Sequence, residues 1–357
     1  KECKFTFMLE NKNKNLTNLE DFGEFNLIDL LTKDLKIKHK STIKSIGDDA
    51  AVLDYKSKKV LVSTDFLVEG VHFDLAYVPL KHLGYKSIAV NISDICAMNG
   101  SSKQVTVSIA VSSRFSVEAI DELYLGVKLA CDKYNIDLVG GDTTSSTSGL
   151  VISVSILGEV DKKKITYRKG AKINDLVVCT GDLGAAYLGL QILNRENKIF
   201  KENPNVQPDL TGHDYILQRQ LRPEPAVKYI DILNNMSIIP TSMIDVSDGL
   251  SSEVLHLSKS SSCGITIYEN KIPIDYTVMN LSQEFKLNPI ICALSGGEDY
   301  ELLFTVDQKH YEQLKKDPDF TIIGYVNDKS EGNNLVTNDG SMHELTAQGW
   351  NSISTKK

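Results

Sequence analysis

The sequence predicts a two-domain protein of α/β (α+β) class. Three observations carry this. The chain has 357 residues, more than one hydrophobic core usually serves. In both halves, short apolar runs of strand character alternate with segments of helical periodicity, the pattern of layered sheets and helices. A polar, basic stretch from Asp161 to Asn174 separates the halves and is the best boundary. The expected division is an arm over 1–22, a first domain over 23–162 and a second over 163–357.

Residues 8 to 22 are rich in Asn, Lys and Leu and predict a loose arm. Phe25, Leu27, Ile28 and Leu31 have helical spacing. Lys59 to Asp65 predicts a strand whose end presents Ser63, Thr64 and Asp65. Leu83 to Met98 predicts a buried helix that carries Asn91 and Asp94 and is ended by Gly100. Gln104 to Ser112 alternates as a strand does. Ser116 can cap the next helix, in which Ile120, Leu123, Tyr124, Val127, Ala130, Cys131 and Tyr134 recur at three- and four-residue spacing. Asp137 to Val139 and Leu150 to Val160 predict strands flanking a Gly140-Gly141-Asp142 turn. In the second half, Asp175 to Thr180 predicts a strand and Gly184 to Leu193 a helix. Pro204 to Asp214 reads as a polar loop, and Ile216 to Asn234 as helix interrupted near Pro223 and Pro225. A strand then enters Asp245, a helix follows from Ser251 to Ser258, and short strands and helices alternate up to Trp350.

With 41% apolar and 24% charged residues, the composition is that of an ordinary soluble globular chain. A net charge of −8 without a Lys/Arg stripe argues against a nucleic-acid partner. No apolar run approaches the ~20 residues needed to span a bilayer, and Lys1 to Phe7 lacks a signal-peptide core. Met8 reads as the natural start, with seven additional residues before it. Six cysteines without C-x-x-C spacing suggest reduced thiols in a cytoplasmic protein, not a disulfide framework or zinc site.

Six short acidic motifs run through the chain: Gly47-Asp48-Asp49-Ala50-Ala51, Ser63-Thr64-Asp65, Asn91-Ile92-Ser93-Asp94, Gly140-Gly141-Asp142-Thr143, Asp245-Val246-Ser247-Asp248-Gly249 and Ser295-Gly296-Gly297-Glu298-Asp299. Taken singly, each is a turn, a cap or an exposed acidic loop. Gathered by a fold, the carboxylates would repel one another and any anionic ligand unless cations sat between them. That combination suggests Mg²⁺ ions bridging carboxylates to phosphates. Asp94 is the most informative member, because a carboxylate inside an apolar helix needs a cation or hydrogen bonds. Neither a G-x-x-x-x-G-K-[ST] loop nor a G-x-G-x-x-G after a strand is present, so the commonest nucleotide motifs are excluded.

In their order, GDDAAVL, STDFLVEGVHF, AVNISDICAM, VGGDTT, IDVSDGL and LSGGEDYELLFT resemble the thiamine-monophosphate kinase family of the aminoimidazole ribonucleotide synthetase-like superfamily. The resemblance runs from Gly23 to about Trp350. It implies a homodimer whose N-terminal sheets pair into a shared β-barrel, with a C-terminal α/β domain, and ATP bound between the N- and C-terminal domains. It implies ATP-dependent phosphorylation of thiamine monophosphate to thiamine diphosphate, the last step of that cofactor's biosynthesis.

By the same resemblance, Asp49, Ser63, Thr64, Asp65, Asp94, Asp142 and Asp245 would hold several Mg²⁺ ions, and Asp248 a further one. Tyr124, Gly141, Asp142, Arg168 and Ser247 match nucleotide contacts. His72, Glu298 and Trp350 match positions that bind thiamine monophosphate. Asp65, Asp94 and Arg168 would act electrostatically, because the attacking phosphate is largely dianionic at neutral pH (second pKa ~6) and needs no general base. The segment Ala97-Met98-Asn99-Gly100-Ser101-Ser102 departs from the family's usual Ala-Met-Gly-Ala and puts only local loop geometry in question. The rival readings are another ATP-using member of the superfamily and a nucleotide-binding regulator that has lost catalysis. The chain lacks the Pro-Arg-x-Cys tail of hydrogenase-maturation proteins, and Cys3 lacks the setting of a selenophosphate synthetase.

Overall fold

A computed structural model describes residues 17, 30–44, 52–56 and 58–347. Most of the arm, the first helix and the Asp48-Asp49 segment lie outside this set, as do Cys3 and Trp350. The chain divides into two compact units. One comprises residues 1–95 and 101–162, the other residues 96–100 and 163–357.

In the first unit, β3 (Lys59–Val68), β4 (Ser101–Val111), β5 (Asp137–Ser145) and β6 (Val151–Val160) form a four-stranded sheet in the order β3-β6-β4-β5. β6 runs antiparallel to both neighbours, and β4 and β5 are parallel. β1 (Thr42–Lys44) and β2 (Val52–Leu53) form a small antiparallel pair. Two helices, α1 (Leu80–Ala97) and α2 (Val117–Lys133), accompany the sheet. They meet backbone to backbone: a Cβ on Gly84 would lie 1.9 Å from the Leu123 carbonyl oxygen, and one on Gly126 1.9 Å from that of Lys81. Ser116 caps α2 by accepting the Ala119 N–H, satisfying a donor that the helix itself leaves unpaired.

The alternation of the strands leaves this sheet two unlike faces. Leu61 and Leu67 of β3, Ile152, Val154 and Ile156 of β6, and Val107 of β4 are buried. The opposite face carries Val62, 69% exposed, and Phe66, 60% exposed.

The second unit holds a seven-stranded sheet. Its strands are β7 (Leu176–Thr180), β8 (Ser242–Asp245), β9 (Gly264–Tyr268), β10 (Leu302–Val306), β11 (Phe320–Asn327), β12 (Asn333–Val336) and β13 (Met342–Glu344), in the order β13-β12-β9-β11-β7-β10-β8. Only β12 and β9 pair in parallel there, so the layering takes the α+β form. The main helices are α3 (Ala185–Glu202), α4 (Asp214–Leu221), α5 (Val227–Asn235), α6 (Leu250–Ser261), α7 (Tyr276–Glu284) and α8 (Pro289–Ser295). Val177, Cys179, Leu250, Val254, Leu257 and Ile265 lie in the core that joins α6 to the sheet.

Several boundaries differ from those read in the sequence. β3 continues past Asp65 to Val68, because Phe66, Leu67 and Val68 extend its alternation. Gly140-Gly141-Asp142 lies inside β5 and forms no turn. A Cβ on Gly141 would lie 2.0 Å from the Val107 carbonyl oxygen, so glycine permits a close strand pair there. Asn99, at φ +57°, supplies the left-handed residue after α1 in place of Gly100, a conformation that Asn tolerates better than most residues. α3 runs nine residues beyond Leu193, since Arg, Glu and Lys favour helix despite their polarity. Cys96, Cys131, Cys179, Cys263 and Cys292 are buried free thiols. Among the described residues, no helix is long and apolar enough to cross a membrane.

Candidate active site

In the first unit, β3 and α1 bring together the residues around Asp94. Ser63 and Asp65 share the β3 face of Leu61 and Leu67 by period-two alternation. The Ser63 hydroxyl donates a short hydrogen bond to Asp94 Oδ2. Burial first, and the Asp94 charge second, push the Asp65 carboxyl up to about 6. Two carboxylates and a hydroxyl thus converge with more negative charge than their surroundings solvate. Thr64 lies on the other face, where its hydroxyl donates to the Val154 carbonyl at 2.9 Å and lies 3.0 Å from Ser155 Oγ. Its side chain is separated from Ser63 and Asp65 by the pleat.

Asp142 does not join this group within the chain. Asp65 pairs with Val154, Val154 with Val107, and Val107 with Gly141. β3 and β5 are therefore opposite edges of the sheet, about 14 Å apart as three strand spacings. Asp142 pairs with Ser108, Ser108 with Ser153, and Ser153 with Phe66, so by alternation Asp142 shares the exposed face of Phe66. Its Oδ1 accepts the Thr143 N–H at 2.9 Å.

Three further residues of this unit have defined settings. His72 follows β3 and is exposed; its Nδ1 accepts the Val68 N–H at 3.1 Å. With Nδ1 accepting, Nε2 is the ring nitrogen left to donate. Glu69 steadies the same turn by accepting the Leu150 N–H at 2.9 Å and by pairing with Arg114. Tyr124 is buried on α2, and burial pushes its phenol up to about 12, so it remains a neutral hydroxyl.

In the second unit, two loops carry the candidates. Asp245 ends β8 and is buried. The chain then turns through Ser247 and Asp248 into α6, with Gly249 at φ +113°. The Ser295–Glu301 loop lies against it. Glu298 N–H donates to the Ser247 carbonyl at 2.7 Å, Tyr300 N–H to that of Val246 at 2.9 Å, and Val246 N–H to that of Glu301 at 2.7 Å. Gly297 adopts φ +71°, and a Cβ there would lie 2.6 Å from the Ser247 carbonyl oxygen. Glu298 and Tyr300 also adopt left-handed backbones, at φ +60° and +53°. Such conformations cost ~1–2 kcal/mol each for residues with a side chain and persist where surrounding contacts enforce them.

Around Asp248 the charges interlock. Burial pushes its carboxyl up, and the His256 and Arg168 charges oppose this. Glu253, in the first turn of α6, accepts the Asp248 N–H at 3.0 Å. Burial pushes the Glu253 carboxyl up to about 8, with the charges of Asp245 and Asp248 adding and Arg168 opposing. Beneath the Glu298 loop, Asp299 accepts the N–H groups of Gly184 and Ala186 at the start of α3, at 2.8 and 3.3 Å. The buried Arg219 guanidinium donates to Glu301 Oε1 at 2.9 Å and to the Asp182 carbonyl at 2.8 Å. Gln220 Nε2 donates to Glu298 Oε2 at 2.9 Å.

The structure thus joins Ser63, Asp65 and Asp94 in one unit. In the other it joins Arg168, Asp245, Ser247 and Asp248, with Glu298 on the adjoining loop. Asp49 and Trp350 lie outside the described residues. Among the described residues, no three Asp, Glu, His or Cys side chains converge closely enough to hold a metal ion by themselves. The donors at Asp65 and Asp94 are hard oxygens carrying excess negative charge, a chemistry that fits Mg²⁺ whose remaining ligands are waters and phosphate oxygens. Glu253, Arg219 and Gln220 were absent from the sequence reading. Only Glu253 had a signal there, as an acid opening a helix just after two motif aspartates.

Known proteins resemble most of the chain. The family model of the AIR synthase related protein, N-terminal domain, matches residues 47–160. The thiamine-monophosphate kinase of Bacillus subtilis (strain 168) is 37% identical over 335 residues, covering 92% of this chain and 98% of its own. That of Aquifex aeolicus (strain VF5) is 35% identical over 332 residues, covering 93% and 98%. The structure of AaThiL complexed with AMPPCP and TMP is 33% identical, covers 94% of this chain and 99% of its own, and gives a TM-score of 0.71. Hydrogenase maturation protein HypE in complex with ATP, 16% identical with a TM-score of 0.70 over 93% and 98% of the two chains, shares the fold alone. With more than a third of its residues shared with the Bacillus enzyme over nearly its whole length, the chain belongs to the thiamine-monophosphate kinase family.

Proposed function

We propose that this chain transfers the γ-phosphoryl group of ATP to the phosphate of thiamine monophosphate, giving thiamine diphosphate and ADP. The observation that carries the proposal is the Ser63–Asp65–Asp94 group, charged beyond what its surroundings solvate, in a chain 33% identical to AaThiL, whose structure is complexed with AMPPCP and TMP. A phosphate oxygen of thiamine monophosphate attacks the γ-phosphorus as the bond to the bridging oxygen of ADP breaks. The nucleophile is already ionised, so the obstacle is the meeting of two anions.

Each residue then has a task. Asp65, Asp94 and Ser63 would hold Mg²⁺, with Asp245 and Asp248 a second set. Bound Mg²⁺ neutralises phosphate charge and polarises the transferring group. Arg168 is exposed and free to meet phosphate oxygens beside Asp248. His72 donates through Nε2–H to the substrate phosphate, its tautomer fixed by the Val68 N–H. Glu298 accepts from the exocyclic amine of the aminopyrimidine. Tyr124, Gly141, Asp142 and Ser247 contact nucleotide and metal. Asp49 adds a metal ligand, and Trp350 stacks on the substrate rings. The first unit is then the Mg·ATP-binding and dimerisation domain, and the second binds substrate and nucleotide.

We further infer a homodimer. Val62 and Phe66 leave large apolar side chains open on one sheet face, and a second copy of the same face would cover them as a closed barrel. Such closure places the β5 edge of one protomer beside the β3 edge of its partner. Asp142 would thereby stand beside the partner's β3 edge on the Thr64 face, a position that it cannot reach within its own chain. The enzyme would act in the cytoplasm, where ATP and Mg²⁺ are abundant. Incubation with ATP, Mg²⁺ and thiamine monophosphate tests the reading. Thiamine diphosphate and ADP in equal amounts support it, and turnover of a different acceptor with none of thiamine monophosphate overturns it.

A further inference from the structure

We propose that Gln220 is a positioning residue for the substrate, fixing the carboxylate of Glu298 and thereby setting affinity for thiamine monophosphate. The proposal rests on the reading of Glu298 as the acceptor for the exocyclic amine. The backbone of Glu298 is locked by its left-handed φ and by its N–H bond to Ser247. Those contacts do not set the side-chain torsions. Gln220 contributes to setting them, because its Nε2 donates to Glu298 Oε2 at 2.9 Å.

Gln220 is itself held. It is 6% exposed and lies on α4, which packs on α3 at Gly189. A Cβ on Gly189 would fall 2.7 Å from Gln220 Cβ and 2.6 Å from the Ile216 carbonyl oxygen, so the base of the Gln220 side chain packs closely on the α3 backbone. The preceding residue, Arg219, ties the same helix to Glu301 and to the Asp182 carbonyl. Two adjacent residues of α4 thus grip the loop at Glu298 and Glu301. The chemistry of the donor matters as well. A glutamine amide orients a carboxylate without cancelling its charge, whereas Lys or Arg would form an ion pair.

The test compares Gln220→Leu, Gln220→Glu and Glu298→Ala by the Kd and KM for thiamine monophosphate, kcat, the KM for ATP, and thermal melting. Gln220→Leu removes the donor at similar volume. It should raise Kd and KM for thiamine monophosphate about tenfold, as expected for a lost bond to a charged group, leaving kcat and the KM for ATP near wild type. Gln220→Glu sets carboxylate against carboxylate. Its Kd should be weakest at high pH and recover as pH falls and the new acid becomes a donor. Gln220→Leu in the Glu298→Ala background should add no further loss. If Glu298→Ala leaves the Kd unchanged, the reading of Glu298 fails and the proposal with it. If Glu298→Ala weakens binding but a stably folded Gln220→Leu does not, the proposal alone fails. Equal losses in kcat and in both KM values, with no pH recovery in Gln220→Glu, would show a structural role only and also overturn it.

Discussion

Replacing Asp94 by Asn separates metal binding from folding, because the two should move in opposite directions. The side chain keeps its shape and an oxygen able to accept from Ser63 Oγ, but the charge is gone. In the metal-free protein, Asp65 sits at about 6, roughly two units above an ordinary Asp, which is about 3 kcal/mol of unfavourable environment at neutral pH. Burial accounts for the larger part and Asp94 for the rest. The sign follows from linkage. A carboxyl raised in the folded state binds its proton more tightly there, so its cost is absent at low pH and complete above about 6. Removing the Asp94 charge relieves part of this, and the metal-free variant should melt at the wild-type temperature or slightly above.

Mg²⁺ binding should fall steeply. A unit charge about 4 Å from another contributes about 4 kcal/mol at an effective dielectric of 20, and screening by water and phosphate leaves a loss of about a hundredfold in affinity. At a Mg²⁺ concentration a hundred times the wild-type Kd, wild type gains about 2.7 kcal/mol of stability and the variant about 0.4 kcal/mol. Thermal melting with and without Mg²⁺·ATP measures this difference, and turnover titrated with Mg²⁺ measures the catalytic loss. An Asp94→Asn protein that keeps both its Mg²⁺-dependent shift and its activity would refute the assignment. So would one that melts far below wild type without Mg²⁺, since Asp94 would then be structural.

Three other outcomes follow from the geometry. If Asp142 acts across a dimer, mixing inactive Asp65→Asn and Asp142→Asn subunits should restore roughly a quarter of wild-type activity after exchange; no recovery in verified heterodimers refutes a shared site. Val62→Glu on the exposed sheet face should yield monomers by light scattering with the loss of most activity, and an unchanged dimer removes that face as the interface. In EDTA, Glu253→Gln should stabilise the protein progressively more from about pH 5 to about pH 8, because the wild-type carboxyl, raised to about 8, costs stability as it ionises. A constant difference in melting temperature across that range counts against a buried, raised carboxyl.

Much of the site was legible because its motifs coincide with element ends. Asp245 closes a strand, Asp248 precedes a helix, and Asp94 lies on an apolar helix, each where local pattern placed it. Period-two alternation already places the Thr64 side chain on the face opposite Ser63 and Asp65. The Gly140-Gly141 pair reads locally as a turn. Only the approach of Val107 to Gly141 shows why glycine is needed within a strand. The separation of Asp65 from Asp142 depends on strand order, which no local pattern encodes. Gln220 and Arg219 carry no motif at all, because they act on the loop at 298–301 from a helix some eighty residues earlier.

That separation also bears on how so acidic a site can fold. Gathering every motif carboxylate in one metal-free protomer would cost several kcal/mol for each poorly solvated charge, against a total stability of about 5–15 kcal/mol. Within each unit the described carboxylates are held apart or partnered. Asp65 and Asp94 meet with a serine hydroxyl between strand and helix, Asp142 is held at the far edge of the sheet, and Asp248 and Glu253 have the Arg168 charge beside them. Among the described residues, the group at Asp65 and the Glu253 carboxyl beside Asp245 and Asp248 are poorly solvated as anions before any ligand arrives. On the proposed dimeric reading, partner, Mg²⁺ and nucleotide supply the interactions that compensate these charges. The concentration of charge that phosphoryl transfer requires is then assembled with its counter-ions, and no protomer has to fold around it alone.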